Sequence, residues 1–234
     1  MNTAHLPAGL PALLCLLVTV SVYLGAKRLY ARLGWWWCAP LVLAPLLLIL
    51  VLVVARIPYA TYFADTRWLL WLLGPATVAF GVPIHENRDL IRRHALSLAA
   101  GVASGVILGL ATSWGLARLF HLDRELSRSL LTRSVSTPFA LAATARLGGT
   151  ADLAALFVVI TGVCGMVLGE AVLALLPLRS RLARGALFGA AAHAAGSAKA
   201  REIGSEEGAV ASLTMILAGV TLVLLAPLLA RWLG

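Results

Sequence analysis

Long apolar stretches separated by short polar segments dominate this chain. Six stretches carry no charged residue and approach the roughly 20 apolar residues that a membrane-spanning helix needs. They are Leu6–Ala26, Leu33–Ala55, Trp68–Ile84, Leu96–Leu116, Leu153–Gly169 and Ala209–Ala230. The pattern therefore predicts an all-α fold, a polytopic transmembrane helical bundle.

Two regions interrupt the pattern. The third stretch contains Gly74–Pro75 at its middle and Gly81–Val82–Pro83 near its end, and Pro138 opens a further apolar run that ends at Gly148–Gly149. Proline removes a backbone donor, and a broken helix is tolerated at membrane depth only where its free polar groups meet protein or water. We expect discontinuous or re-entrant helices here, with an ordinary kinked helix as the alternative. Whether segments 133–148 and 185–207 cross the membrane or re-enter is left open.

The interruptions recur along the chain. Pro75 and Pro138 are 63 residues apart, and two glycines repeat at an offset of 64, Gly101 with Gly165 and Gly105 with Gly169. Repeats of broken helices are common in secondary transporters. The spacing indicates an internal repeat, in which the glycine faces serve close helix packing.

Composition narrows the possible functions. Charged residues make up 12% of the chain, against about a quarter in a soluble domain. The net charge of +9 does not indicate nucleic acid, because the basic residues gather in short loops, as the positive-inside rule expects. No catalytic spacing, metal-ligand set or phosphate loop stands out, so neither an enzyme nor a bound cofactor or metal is predicted.

A first polar cluster precedes Pro138. It consists of Arg133, Ser134, Ser136 and Thr137. Hydroxyls ahead of a proline in the first helical turn suit a helix cap, and a helix N-terminus with a nearby arginine suits an anion. A simply capped helix and a substrate-binding site are both compatible with this pattern. For Arg133 itself, the alternative is a side chain that snorkels to the interface.

A second cluster lies in the small-residue segment Gly185–Gly208. Its candidate binding residues are His193, Gly196, Ser197 and Lys199. Polar groups among membrane helices are costly unless they face a partner, a ligand or water. His193 could couple proton movement to an anion or could bond a neighbouring helix. Lys199 could bind substrate or lie on a solvated face beside acidic residues.

Five further residues are assigned to coupling or to helix structure. They are Thr77, Pro75, Pro138, Glu170 and Glu207. A carboxylate in the apolar surroundings of Glu170 could be neutral, pair with a basic side chain or relay protons. An interfacial position is the alternative.

Four motifs, in order, resemble the LrgB/CidB family. They are LLGPATVAFGVPIHENRDLIRRH, LDRELSRSLLTRSVSTPFALAATARLGG, FVVITGVCGMVLG and RGALFGAAAHAAGSAKAREIGSEEGAVASL. The family's S-V-T-T-P element falls on Ser134–Pro138 and its basic residue on Arg133. The S-H-x-I-G-T-A-[RK] element falls on residues 192–199, and the following E-G pair on Glu207–Gly208. Ala192, Ala195 and Glu170 depart from the family pattern.

The resemblance implies a single integral membrane domain over residues 1–234, multi-pass in the cytoplasmic membrane. It further implies a secondary, ion- or proton-coupled transporter of small carboxylates such as glycolate, glycerate or pyruvate. The alternative is a holin- or antiholin-like protein that modulates murein hydrolases and cell lysis. The expected partners are the carboxylate, the lipid bilayer, a small LrgA/CidA-type membrane protein and further copies of this chain.

Overall fold

The computed structural model describes residues 10–176, 178 and 180–233. Helices and short connections make up these residues, and no strand occurs among them. The prediction of an all-α fold is therefore confirmed. The start of the first predicted stretch, at Leu6, lies outside the described residues. The chain forms two compact units, one ending at Ala76 and one beginning at Thr77.

The first unit is built around α1, Leu10–Leu33. It packs against α2 (Pro40–Val54) and α3 (Tyr59–Thr66), and 3-10 turns occupy Trp36–Cys38 and Arg67–Leu72. The hydroxyls of Thr19 and Tyr62 lie 2.9 Å apart and link α1 to α3. The second apolar stretch thus yields a helix of only 15 residues, since Gly34 turns the chain at a positive φ of 67°.

The third stretch is broken at one of its two predicted positions. α4 runs through Gly74–Pro75, from Leu73 to Ala79, and α5 covers Gly81–Glu86, so the chain breaks at Phe80, directly before Gly81–Val82–Pro83. Pro75 is the third residue of α4, within the first turn, where a backbone N–H needs no helical acceptor. Proline therefore begins this helix and does not interrupt it.

Seven more helices complete the second unit. They are α6 (Arg88–Arg93), α7 (Ala95–Leu119), α8 (Arg124–Leu130), α9 (Thr137–Leu147), α10 (Ala151–Leu175), α11 (Arg181–Ile203) and α12 (Ser205–Leu233). α12 packs on α7, α9 and α11, and α10 packs on α9 and α11. A contiguous apolar core from α7, α9, α10 and α12 lies between them.

Close glycine contacts fix the direction of these helices. Along α7, Gly101 lies against Ala186 and Gly105 against Ala190, so α7 runs parallel to the first half of α11. Along α10, Gly165 lies against Ala192 and Gly169 against Phe188, which is the opposite order. α7 and α10 are therefore antiparallel. We call the end where α7 begins and α10 ends the basic end, after Arg88, Arg92, Arg93, Arg181 and Arg184.

The segment between α7 and α10 enters the bundle from the end opposite the basic end and returns to that same end. α8 runs inward, the chain turns at residues 131–136, and α9 runs back outward. The hydroxyls of Thr132 and Thr144 lie 2.8 Å apart, and the Thr150 amide donates to Ser129 Oγ at 2.8 Å. We call residues 124–147 the first hairpin. Both of its arms lie at the same end of the bundle, as the arms of a re-entrant segment would.

α11 is a second hairpin, which opens toward the basic end. His193 has φ 40° and ψ −123°, a non-helical backbone conformation. Beyond it, Gly196 lies against the carbonyl of Phe188, eight residues earlier in the sequence. In a straight helix those residues would be about 12 Å apart along the axis. Arg181, at the start of α11, also pairs with Glu206 in the first turn of α12. The second hairpin, residues 181–203, therefore also has both arms at one end of the bundle.

The two hairpins form an inverted repeat. α7 is followed by the first hairpin and the antiparallel α10 by the second. The repeat inferred from the sequence aligned Pro75 with Pro138, whereas the structure relates the turn after Leu130 to the turn at His193. The matching glycines do share a role, because both pairs contact the first half of α11.

Five helical segments of the described chain are long and apolar enough to cross a membrane. They are Leu13–Leu33, Tyr59–Glu86, Ala95–Leu119, Ala151–Leu175 and Ser205–Trp232. Neither α9 nor α11 is among them, as expected for the arms of re-entrant hairpins. The chain is a multi-pass membrane protein.

Candidate functional site

The tips of the two hairpins meet halfway along α7. Ala190, near the tip of the second hairpin, contacts Gly105, and Ser134, in the tip of the first, contacts Gly109. These glycines are one helical turn apart. Each lies ten residues, or about 15 Å, from its own end of α7. Two chain reversals that enter from opposite ends therefore adjoin at the middle of the bundle.

Arg133 extends from the first tip along α7. Its Nε donates to Ser113 Oγ at 2.9 Å, and one terminal nitrogen donates to Thr112 Oγ1 at 2.8 Å. No carboxylate lies within ion-pair distance of Arg133 in the part of the chain that the structure describes. The guanidinium is thus held in place by neutral hydroxyls, which leave its charge uncompensated.

Ser136 and Thr137 begin α9, with Pro138 in its first turn. Ser136 occupies the N-cap position, but its side chain makes no capping hydrogen bond. Its Oγ is buried and has no partner among the described residues. Of the two alternatives left open for this cluster, the simply capped helix therefore lacks a side-chain capping bond from Ser136.

His193 forms the turn of the second hairpin and is 3% exposed. Its Nε2 lies 2.9 Å from the Val158 carbonyl of α10, while Nδ1 has no partner among the described residues. One of the two roles left open for His193, a bond to a neighbouring helix, is thus present at Nε2. The backbone is of the type that favours glycine and carries a strain of about 1–3 kcal/mol.

Gly196 and Ser197 lie on the returning arm. A Cβ at Gly196 would collide with the Phe188 carbonyl, so this position allows the two arms to touch. Ser197 Oγ lies 3.9 Å from Met215 Sδ in α12. Both residues hold the second hairpin together and against α12.

Thr214 carries the third buried polar group without a partner among the described residues, and it was not selected from the sequence. It lies in the apolar run of α12, where a single threonine is unremarkable. Its neighbours Met215 and Ile216 share one apolar cluster with Val135, beside Ser136, and with Val158, which bonds His193. The three unpartnered polar groups therefore border the same core.

Lys199 is not in contact with the Arg133 guanidinium. Its Nζ pairs with Glu170 of α10 at 2.6 Å and with Glu202 at 2.8 Å. The family departure at Glu170 thus supplies a counter-charge for Lys199. Glu207 is buried with its carboxylate against Gly204, at the start of α12.

The two remaining candidates lie in α4. Thr77 is half-buried and its carbonyl accepts the Phe80 amide at 3.2 Å, whereas Pro75 is exposed and belongs to the first unit.

A cavity of about 500 Å³ runs from the tips along α7 and the first half of α11. Polar groups surround its mid-bundle end, and small and leucine side chains line the remainder. The polar residues are Ser104, Thr112, Arg133 and Ser134; leucines Leu108, Leu176, Leu178 and Leu187 are among the apolar ones.

Comparisons with known proteins agree with the four motifs. The LrgB-like family matches residues 19–232. A Bacillus subtilis (strain 168) protein named "Uncharacterized protein YwbG" is 36% identical over 92% of this chain and 95% of its own length. "Holin-like protein CidB" of Staphylococcus aureus (strain Mu50) is 33% identical over 93% of this chain and 95% of its own, and the Staphylococcus epidermidis (strain RP62A) protein of that name is 30% identical over 94% and 96%. No solved structure matches.

The predicted resemblance is confirmed by these matches, which cover nearly the whole chain. The names of the staphylococcal relatives agree with the alternative function given in the sequence analysis, the holin-like one. Carboxylate transport receives no support from any of these names.

Proposed function

The chain belongs to the LrgB-like family, and from that premise we propose that it is a carrier of small carboxylates whose binding site lies between the hairpin tips. Residues 1–234 act as one membrane domain in this proposal. The observation that carries it is the pair of hairpins meeting at mid-bundle, with Ser136 Oγ, His193 Nδ1 and Thr214 Oγ1 buried and unpartnered beside them.

Helix direction favours an anion there. α9 and the second half of α11 both begin at a tip, so their N-terminal N–H groups are turned toward the middle of the bundle. A helix N-terminus carries about half a positive charge and attracts carboxylates. Discontinuous helices in known transporters use the same arrangement at the membrane midplane.

Arg133 supplies the full positive charge in this proposal. It lacks an acidic partner among the described residues, whereas Lys199 already has two. The single charge of Arg133 matches a substrate with one carboxylate. Ser134, Ser136 and Thr137 lie within one turn of Arg133 along the chain and would donate hydrogen bonds to substrate oxygens.

The basic end would face the cytoplasm. The positive-inside rule assigns short arginine-rich loops to that side, and α7 and α11 both begin near such loops. The second hairpin would then open to the cytoplasm and the first to the outside. Each hairpin would close one side of the site, as alternating access requires.

A holin-like membrane protein that regulates lysis is the second candidate. The names of the CidB relatives favour it directly. Such a protein would admit unrelated solutes or act through a partner of the LrgA/CidA type, and Arg133 would have no special role.

Reconstituted protein distinguishes the two candidates. Liposomes containing the protein and an entrapped dye would be given labelled glycolate, glycerate or pyruvate. A carrier gives saturable uptake with the dye retained, and Arg133→Ala abolishes that uptake. Arg124→Ala, a change of the same kind on the exposed side of α8, serves as the control. Dye loss without selectivity, or full uptake by folded Arg133→Ala protein, would reject the carrier with this site.

A further inference from the structure

The turn of the second hairpin lies level with Thr214 of α12. Four residues before the turn, Gly189 lies against Ala211. Four residues after it, Ser197 Oγ lies 3.9 Å from Met215 Sδ. Thr214 falls between these two contacts along α12, so its buried hydroxyl lies at the level at which the second hairpin reverses.

Ser136, at the start of α9, lies at the same level. Phe139, nearly one turn further along α9, lies against Gly219 of α12. Both helices run away from the basic end, so one turn back from this contact lie Ser136 on α9 and residues 215–216 on α12. The three buried groups without a partner, which belong to three separate helices, therefore lie at one level of the bundle.

The tautomer of His193 follows from its one hydrogen bond. The Val158 carbonyl can only accept, so Nε2 is the nitrogen that donates to it. The ring is 3% exposed and has no carboxylate within ion-pair distance among the described residues, so burial favours its neutral form. A neutral ring with its hydrogen on Nε2 has an acceptor at Nδ1. This buried acceptor requires a donor.

Thr214 and Ser136 offer a different hydrogen-bonding capacity. A hydroxyl can both donate and accept, and neither of these two oxygens makes a hydrogen bond to Nδ1 or to the other. A substrate group that lies among them must therefore donate a hydrogen to Nδ1 and can accept one from a hydroxyl. A substrate hydroxyl does both, whereas a keto oxygen can only accept.

We propose that a hydroxyl group of the substrate donates to His193 Nδ1 and accepts from Thr214 Oγ1, so that the site selects a hydroxy acid over the oxo acid of the same carbon skeleton. This inference rests on the proposed function and narrows its substrate class. The carboxylate stays with Arg133 at the first tip. The two tips contact α7 at glycines one turn, about 5.4 Å, apart, which is comparable with the length of a two- or three-carbon acid.

Binding of a matched pair of acids tests this selection. Lactate and pyruvate share one carbon skeleton and differ only in the hydroxyl or keto oxygen at C2. Each enantiomer of lactate, and pyruvate, is titrated into the protein in phosphatidylglycerol nanodiscs, and heats from empty nanodiscs are subtracted. The better-bound lactate should bind about 10- to 100-fold more tightly than pyruvate, which leaves the buried acceptor without a donor. Equal affinities, tighter binding of pyruvate, or no binding of either acid overturns the proposal.

Variants assign the selection to the two residues. Thr214→Val replaces the hydroxyl by a methyl group, and His193→Gly removes the acceptor, so each should lower the ratio of the lactate affinity to the pyruvate affinity. His193→Asn, whose amide oxygen can take the place of Nδ1, should retain the preference for lactate. Thr221→Val, the same change at a half-buried position two turns further along α12, should leave the ratio unchanged.

A merely structural role would weaken the binding of both acids equally. An unchanged ratio in both folded Thr214→Val and folded His193→Gly proteins therefore overturns the assignment to these residues.

Uptake by proteoliposomes separates this inference from the proposed function. Saturable uptake of lactate and pyruvate with equal affinity rejects the selection and leaves the carrier standing. Preferential binding of lactate without uptake of either acid supports recognition of the hydroxyl and rejects the carrier.

Discussion

The first and second hairpins have similar positions but are held by different forces. The first hairpin is held by buried neutral hydroxyls, such as the Thr132–Thr144 pair and the bond from the Thr150 amide to Ser129. The second is held by close contacts at small residues, with Gly196 against the Phe188 carbonyl. Apart from the His193–Val158 contact at its tip, two ion pairs near the basic end also hold it, Arg181–Glu206 and Lys199–Glu170.

This difference indicates which hairpin can move. Breaking a buried hydroxyl pair leaves two polar groups without water, which costs about 1–3 kcal/mol for each group. The Arg181–Glu206 and Lys199–Glu170 pairs each include a side chain more than half exposed, so water and salt can replace one partner. We therefore expect the second hairpin to open more readily than the first.

The largest effect is expected where the arms of the second hairpin touch. Gly196→Ala places a methyl group against the Phe188 carbonyl and should lower the free energy of unfolding by about 3 kcal/mol. Gly115→Ala, in α7 with open space around it, should raise that free energy by about 0.5–1 kcal/mol. Unfolding in mixed micelles measures both. Equal stabilities for the two variants would contradict the contact between the arms.

The hydroxyl pair of the first hairpin comes next. Thr132→Val leaves Thr144 Oγ1 buried without its partner and should lower the free energy of unfolding by about 1–3 kcal/mol. The double variant Thr132→Val/Thr144→Val removes both polar groups and should recover part of that loss. A double variant that is less stable by the sum of the two single losses would show that the pair is not coupled.

At the turn formed by His193, we expect glycine to give a more stable protein than alanine, which is the reverse of their order in a helix. His193→Gly should be more stable than His193→Ala by about 1–2 kcal/mol, because only glycine adopts this backbone without strain. In a continuous helix, alanine would be the more stable by about 1 kcal/mol. Both variants lose the imidazole ring, so the difference between their unfolding free energies measures the backbone effect alone. Greater stability of the alanine variant would reject the reversal at His193.

The smallest effect is expected for the ion pair on the second hairpin. Glu170→Gln should lower the unfolding free energy by less than about 1 kcal/mol, since Lys199 keeps Glu202. The difference from the unaltered protein should shrink in high salt, whereas the effect of Thr132→Val should not. Salt-dependent unfolding of both variants measures this. A Glu170→Gln loss as large as that of Thr132→Val would remove the contrast between the hairpins.

Local chemistry explains which predictions succeeded. The helical bundle was readable because lipid requires long apolar segments with internally bonded backbones. Arg133 and His193 were selected because charge and imidazole are rare among such segments. The break at Pro75 was wrong because a proline is harmless in a first turn, and the start of that turn depends on the preceding 3-10 turn, Arg67–Leu72. Thr214 was missed because its distinguishing feature, a buried hydroxyl without a hydrogen-bond partner among the described residues, is visible only in the structure.

The sequence by itself determined the class of fold, the family and the positions of the polar clusters. These follow from the lipid bilayer, which requires long apolar segments and makes polar groups among them costly wherever they occur. Only the tertiary structure decided that α11 folds back at His193, that Lys199 pairs with Glu170 and that Arg133 has no acid beside it. These features depend on residues that are distant in the chain, so they are decided by which helix surfaces pack against each other.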